Sequence, residues 1–436
     1  MKNKILASLE IAIVLCLLFF VALPSIAAAT EDETLDIYGN ANEDDIIDMR
    51  DLTFTARMIL RLEDETELAD ANYDGRVSVA DMTQIGLIIL GRESKLTLVD
   101  SSERIVTVNK PVERVISSDT LMAEAISLLG AWDRVVGRDL ITTDELFFPG
   151  VSELPVIRTP GFDPSFINYE KVFELEPDIF LALPMTFPDW TDAIDTLEPD
   201  IPVVLLEYSD PETLIENIRK LRYVLNTEEK GEEFIAFYEG VVNDIAEETA
   251  GLTDEEKPRA FVWLFSPGYT EQYVTLAGDM PGIQSQLEIV GAVNIAEDLT
   301  GWFIPVSDEW LLAQSQDPGI DVILGGVDVP VIPGVCGYDI DDTTVIRETR
   351  DWVMDADENP VLAGSDAVTN ERAYLYSAPM GTSPRFVVAM AYWAKWLHPE
   401  LFENLDPQAI HQQYLTDFMR IDYDLEEHGV FAYPEP

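Results

Sequence analysis

Imidazole, thiol and positive charge are what this chain has least of. Its 436 residues hold three histidines, two cysteines and 27 lysines plus arginines against 82 aspartates plus glutamates, a formal charge of −55. A field of that sign repels nucleic acid and phosphate-rich surfaces, so neither is an expected partner. A solubilising acidic surface accounts for it, as would a salty, cation-rich habitat. The histidines, His398, His411 and His428, all fall near the C-terminus and read as surface or capping residues. A tight zinc or manganese site wants imidazole or thiolate ligands, so direct capture of either metal is not expected. No G-x-S-x-G elbow and no H-E-x-x-H pair occurs, and a serine triad would need a long return from the C-terminal helices. Cys16 lies in an apolar leader, which leaves Cys336 alone in the exported chain. That excludes an internal disulfide, and Cys336 reads as a structural thiol. Beyond the leader there is no second long apolar run, so the body is expected to be soluble.

What is present begins with that leader. Lys2 and Lys4 precede an apolar run from Ile11 to Ala29 ending in Ala27, Ala28 and Ala29, the build of a signal peptide over residues 1–29. Cleavage is expected near Ala29; the run is also nearly long enough to remain as an uncleaved anchor. Leu15 before Cys16, where a small residue is needed, argues against a bacterial lipoprotein signal. The chain is therefore expected outside the cell or on its surface.

Two acidic loops then carry oxygen-bearing side chains at the spacing a calcium ion requires. In the second, Asp70, Asn72, Asp74, Ser78 and Asp81 fill positions 1, 3, 5, 9 and 12, Gly75 takes the sharp turn at position 6, and Arg76 offers its carbonyl. The first repeats the scheme with Asn40, Asn42, Asp44, Asp48 and Asp51, but Asp45 stands where glycine is expected. The turn there is expected to hold an aspartate at positive φ. Behind each loop runs a helical apolar pattern, Leu52 to Leu62 and Met82 to Leu90, too short to bury its face alone, so the two are expected to pair. Calcium is the expected cofactor, in a structural role; the alternative is a pair of solvated acidic turns.

From Arg104 short β-branched runs alternate with helical segments, an α/β signature with a parallel sheet. Val115 to Ser117, Val135 to Gly137, Asp178 to Leu183 and Pro202 to Leu206 read as strands. Leu121 to Leu129, Tyr169 to Leu175 and Trp190 to Leu197 read as the helices between them. Two consecutive helices follow, Pro211 to Leu225 and Thr227 to Glu248, before the alternation restarts at Ala260. The second set comprises strands Ala260 to Phe265, Ile320 to Leu324 and Ala373 to Tyr376. Its helices are Met280 to Val290, Asp308 to Leu312, Thr343 to Val353 and Pro384 to Leu397. The expected architecture is α/β, two Rossmann-like lobes joined by a long helix and preceded by a small all-α domain. The expected domains are 35–92, 98–210, a helical linker 211–250, and 258–436.

Two resemblances sharpen this. Aspartate rather than glutamate at position 12 and a single helix after each loop make residues 35–92 resemble a dockerin, which implies a calcium-folded module that binds a cohesin-like domain. The segment "PVERVISSDTLMAEAISLLGAWDRVVGRD" (Pro111 to Asp139) resembles the opening of class III, cluster A substrate-binding proteins of ABC transporters, which take up iron siderophores, haem or cobalamin. "NYEKVFELEPDIFLA" (Asn168 to Ala182), "DMPGIQSQLEIVGAVNIAED" (Asp279 to Asp298) and "VSDEWLLAQSQDPGIDVILGG" (Val306 to Gly326) follow in that family's order. "ENPVLAGSDAVTNERAYLYS" (Glu358 to Ser377) and "SPRFVVAMAYWAKWLHPELF" (Ser383 to Phe402) complete the series, which covers residues 98–420.

Ligands in such folds bind at loops leaving the carboxyl ends of strands, in the cleft between lobes. Tyr269, Trp302, Phe303 and Tyr338 are candidate aromatic walls, and Arg385 a candidate anchor for an anionic or carbonyl-rich chelate. The resemblance also implies one acidic residue per lobe facing arginines of the permease: Glu309 in the second lobe, and in the first Asp192, with Asp189 next. The expected function is a monomeric extracytoplasmic receptor, not an enzyme. It captures an iron chelate of siderophore type, or a cobalamin-type ligand, and hands it to an ABC permease. A metal that already carries its ligands suits the inventory better than bare iron held by Tyr and Asp oxygens. Closure is expected to be a few degrees of lobe rocking about the long helix. A dockerin-bearing polysaccharide-degrading enzyme is the alternative, but with so many carboxylates any pair can be nominated for a glycosidase, so its chemistry gains no support.

Overall fold

A computed structural model describes residues 34–158, 166–184, 190–265, 273–280, 282–328, 330–381 and 384–436. The leader, Tyr269 and Asp189 lie outside these described residues.

The repeat folds as two loop-helix units. Helix α1 is Met49–Ile59 and α2 is Val79–Ile89. In each, position 9 of the loop is the N-cap and position 12 is N3: Asp48 with Asp51, and Ser78 with Asp81, close reciprocal capping boxes. The helices pack together as expected. Asp45, however, does not carry the positive φ. The left-handed residue in the first loop is Glu43 (φ 56), matched by Tyr73 (φ 54) in the second, where Gly75 (φ 88) adds another. Both loops thus reverse at position 4, and only the second adds a left-handed residue at position 6, so Asp45 sits where no positive φ is required.

The module is also less separate than its helices suggested. Strands β1 (Lys95–Val99) and β2 (Ile105–Asn109) form an antiparallel hairpin, and Ile37 bridges Leu98 across it. Leu35, Ile37, Ile47, Met58, Ile85 and Ile88 belong to one continuous apolar cluster with Leu98, Val108 and Val224 of the body. The helical module thus shares its apolar core with the first lobe.

That lobe is a five-stranded parallel sheet in the order β5-β4-β3-β6-β7, with β3 Val115–Ser117, β4 Val135–Asp139, β5 Val156–Arg158, β6 Ile179–Ala182 and β7 Val203–Leu205. Helices α3 (Thr120–Leu128), α4 (Tyr169–Glu174) and α5 (Thr191–Leu197) connect the strands. Helix α6 (Pro211–Leu225) starts where Asp210 accepts from the Glu212 amide ahead of Pro211, and stops where Asn226 turns left-handed (φ 50). Helix α7 (Glu228–Thr249) then leads to the second lobe.

There the sheet is mixed rather than parallel. Its order is β11-β9-β8-β12-β13-β14, with the short β10 (Val293–Asn294) also on β8. Strands β8 (Arg259–Leu264), β12 (Val322–Val327) and β13 (Ala373–Ser377) run parallel, while β9 (Tyr273–Leu276) and β14 (Ala432–Tyr433) are antiparallel to their neighbours; β11 is Phe303–Val306. Helices α8 (Ile283–Ile289), α9 (Asp308–Gln314), α10 (Thr344–Met354) and α11 (Asp366–Thr369) precede α12 (Phe386–Leu397), in which only Lys395 escapes burial, as suits a helix apolar on every side. After α12 the chain does not end at the surface. Helix α13 (Pro407–Gln413) leads into a π-turn at Tyr414–Met419 that presses on α3, where Arg420 donates to the Ser127 carbonyl, before the chain returns to the second lobe as β14. This strap is a second connection between the lobes.

Candidate binding cleft

The strand orders locate the cleft. In each lobe the chain builds outward in both directions from a central pair, β3 and β6 in the first and β8 and β12 in the second. The crevice opens at the carboxyl ends of those pairs.

On the first lobe this rim is polar and tightly held. Ser118 and Asp119 follow β3, and Asp119 accepts from the Ser118 hydroxyl and from the Met122 amide at the start of α3. Burial pushes the Asp119 carboxyl up to about 6. Arg158, at the end of β5, donates to the Ser118 carbonyl at 3.2 Å and lies over the Trp190 ring at 5.7 Å. The Tyr208 hydroxyl is buried without a partner among the described residues. Asp119 falls in the Ser117–Thr120 loop that the strand pattern already marks as a cleft loop, whereas Arg158 and Tyr208 did not stand out in the sequence, where each is one polar residue among many after an apolar run.

On the second lobe the rim is aromatic. Trp263 and Phe265 stack at 4.6 Å, and Trp352 and Tyr273 close on Trp263 at 5.6 and 4.9 Å. Trp302 immediately precedes the edge strand β11 and Phe303 opens it, rather than either lying in a loop leaving a strand; Phe303 pairs with Leu276 and is 43% exposed. Tyr338 follows β12, and its hydroxyl lies 3.0 Å from His411 Nε2.

Between the lobes lies a buried network that sequence reasoning missed. Arg385, just before α12, donates to Glu124 of α3 at 2.8 Å, and the same carboxylate oxygen accepts from Tyr414 of the strap at 2.6 Å. The guanidinium sits 4.4 Å above the Phe147 ring. Arg385 is thus engaged across the cleft base by a carboxylate of the protein itself.

The histidine reading is corrected here. His428 is exposed beside Asp341, but His411 is fully buried and His398 nearly so, the latter against the Gly291 carbonyl. The reason is the strap, which carries His411 back between the lobes. Burial, and then the neighbouring Arg385, push the His411 imidazole down to about 3. An unfolded imidazole titrates near 6.5, so below that pH the unfolded chain takes a proton that the folded chain refuses. Stability from this group is complete above about 6.5 and falls as pH drops, by up to about 1.4 kcal/mol per unit. In urea unfolding, the His411→Gln variant should lose about 2 kcal/mol less than wild type between pH 7 and pH 5.

Glu309 and Asp192 are both exposed, each in the first turn of a helix, α9 and α5, that follows a strand of its own lobe. Cys336 is buried and free, its thiol pushed up to about 11 by burial.

In the repeat, Asp51 accepts from the Asn42 and Asp48 amides, and Asp81 from the Asn72 and Ser78 amides, in matching geometry. Asp70 accepts from the Asp74 and Gly75 amides. Arg50 lies on Asp44 at 3.0 Å and on Asp48 at 2.9 Å. No three carboxylate, imidazole or thiol groups converge on a metal position among the described residues. A cation in either loop would therefore draw on asparagine and carbonyl oxygens as well. Asn40 fits that role: it is fully buried, its amide donates to the Leu35 and Asp44 carbonyls, and its side-chain oxygen has no partner among the described residues.

Two parallel-cored lobes facing each other across a cleft, with a polar rim opposite an aromatic one, define a solute receptor. The chain belongs to the periplasmic binding protein family, whose profile matches residues 115–379. It is a substrate-binding protein of the ABC-transporter type. It is 25% identical over 228 residues, 51% of this chain and 67% of the relative, to the uncharacterized ABC transporter substrate-binding lipoprotein YvrC of Bacillus subtilis. It is 26% identical over 316 residues, 70% of this chain and 74% of the relative, to a cobalamin-binding protein of Halobacterium salinarum. Among solved structures, the TroA-like periplasmic binding protein FepB of Veillonella parvula matches its fold with a TM-score of 0.63 at 20% identity, over 77% of this chain and 98% of that one.

Proposed function

We propose that this protein captures a metal complex whose metal already carries its ligands, an iron chelate of siderophore type, and delivers it to an ABC permease. The observation that carries this is the fate of the histidines. They lie against three different neighbours, the Gly291 carbonyl, Tyr338 and Asp341, and no three His, Cys, Asp or Glu side chains converge among the described residues, which supports a metal that brings its own ligands over a bare zinc or manganese ion. What remains is a shaped cleft with Arg158 and Trp190 on one rim and Trp352, Phe303 and Tyr338 toward the other, suited to a flat or polar-edged complex. Tyr269 belongs to the same proposal. A corrinoid is the second reading, favoured by the likeness to cobalamin-binding proteins over 70% of the chain.

Absorbance and tryptophan-quenching titrations with ferric siderophores, haem and cobalamin test this directly. Saturable one-to-one binding of a ferric chelate is expected. Binding of cobalamin alone moves the function to the second reading, and turnover of a glycan with no binding of any complex overturns both. For docking, Glu309 and Asp192 present one exposed carboxylate per lobe. Glu309→Lys should lower the association rate with permease vesicles about tenfold at low salt while leaving ligand affinity unchanged.

The repeat is proposed as a calcium-held tether to a cohesin-like partner. Its support is a duplicated surface: Met49 and Val79 are 65% and 66% exposed, and Leu60 and Leu90 are 57% and 65% exposed, at the same positions of the two repeats.

A further inference from the structure

The two loops share one plan, yet the fold treats them differently. The Asp70–Asp81 loop faces solvent with Asp70 and Asp74 at least partly exposed. The Asn40–Asp51 loop is seated on α6, the helix that leads into the lobe-joining α7. Asp45, at the position where the second loop has Gly75, pairs with Arg219 at 3.0 Å, and Arg219 also reaches Glu239 of α7 at 3.2 Å. Two residues on, the Ile47 amide donates to the buried Tyr223 hydroxyl at 2.9 Å. Just before the loop, Asp36 lies 3.6 Å from Lys220, whose amine is itself buried. One turn after another of α6 therefore grips this loop and its lead-in.

The same loop holds the one candidate ligand oxygen that is fully buried and without a partner among the described residues, Asn40 Oδ1, on an amide whose nitrogen donates to two carbonyls. From these two facts we infer that calcium in the Asn40–Asp51 loop stabilises the solute-binding lobes, through Asp45–Arg219 and Ile47–Tyr223. The polar contacts of the Asp70–Asp81 loop stay within the module among the described residues, so calcium there reaches the lobes only through the shared apolar core. The repeat is then an effector site of the receptor as well as a tether. A cation that orders the first loop fixes Asp45 and Ile47 against α6, and whatever binds only the folded state raises the stability of everything cooperative with it. This inference rests on the calcium reading of the repeat.

The chain supplies its own reporter. All eight tryptophans, from Trp132 to Trp396, lie in the lobes and none in the repeat, so tryptophan emission follows unfolding of the body only. In the full chain, the tryptophan-detected melting temperature should rise by about 4 °C when EDTA is exchanged for calcium at a hundredfold excess over its dissociation constant. Asp45→Asn combined with Tyr223→Phe should still bind calcium by calorimetry, yet lose at least half of that rise. Tyr223→Phe alone, which keeps the ring in the core, should lose part of it. Calcium binding with no movement of the wild-type tryptophan transition overturns the inference, as does a full rise in the double variant. Absence of any calcium binding by the wild-type chain is a different result: it removes the calcium reading itself, and the inference falls with it.

Discussion

Arg385→Ala is expected to cost about 3–5 kcal/mol of stability, read as a fall in the urea midpoint, because it strands a buried carboxylate. Glu124 has no exposed surface, and its charge is met by the Arg385 guanidinium at 2.8 Å and the Tyr414 hydroxyl at 2.6 Å, both on one oxygen. The other oxygen has no partner among the described residues. Burial already raises the Glu124 carboxyl above the usual range, with Arg385 the largest opposing influence. Without the arginine this group must take up a proton or draw in water, and either disturbs the packing around it. The three participants come from the first lobe, the second lobe and the strap, so the loss should also loosen one lobe against the other. Glu124→Leu in the Arg385→Met background should recover most of the stability, since replacing a whole buried pair by apolar groups costs far less than breaking it. Were Arg385 only a ligand anchor, the single variant would keep its urea midpoint and lose affinity alone.

What the sequence made legible was what is local. Helix α6 ends at the residues its pattern names, because Asp210, Pro211 and Asn226 mark both ends with capping chemistry. Strand β3 likewise coincides with its β-branched run, and every expected strand of both lobes is present, within two or three residues at its ends. The antiparallel strands β9 and β14 were not legible, since each is short, and the pairing of β14 is set by β13, far away in sequence. The strap shows why the site was only partly readable. His411 looked like a surface residue because it follows the last strongly apolar helix, yet the aromatic run Phe402, Tyr414, Phe418, Tyr423 and Phe431 beside it was a signal that this stretch is packed. Arg385 was singled out, but its partner Glu124 is one acid among 82 and only the fold selects it. The same holds for Asp45: spacing identified its place in the loop, while Arg219, which holds it, lies on another element. The joining helix suggested lobe rocking, and the strap and the Glu124–Arg385 pair add two further ties across the same line.

Gly282→Ala tests those ties from a different side and should be the most damaging single methyl in the chain. Gly282 is the N-cap of α8 in the second lobe, at φ +81, and a Cβ there would stand 1.8 Å from the Ser209 carbonyl oxygen of the first lobe's exit segment. The obstacle is backbone, which cannot swing aside as a side chain would. A left-handed alanine costs about 1–2 kcal/mol, and the forced displacement of two packed segments about 1–3 more, so a total near 2–5 kcal/mol is expected. Gly150→Ala supplies the control, since Gly150 shares the left-handed backbone (φ +78) but has no atom within 4 Å of a built Cβ. It should lose only the conformational part, about 1–2 kcal/mol. The difference between the two variants measures how closely the lobes are held where Gly282 meets Ser209. Equal losses in urea unfolding would mean that the segments part easily there and that the lobes are joined by the helix and the strap alone.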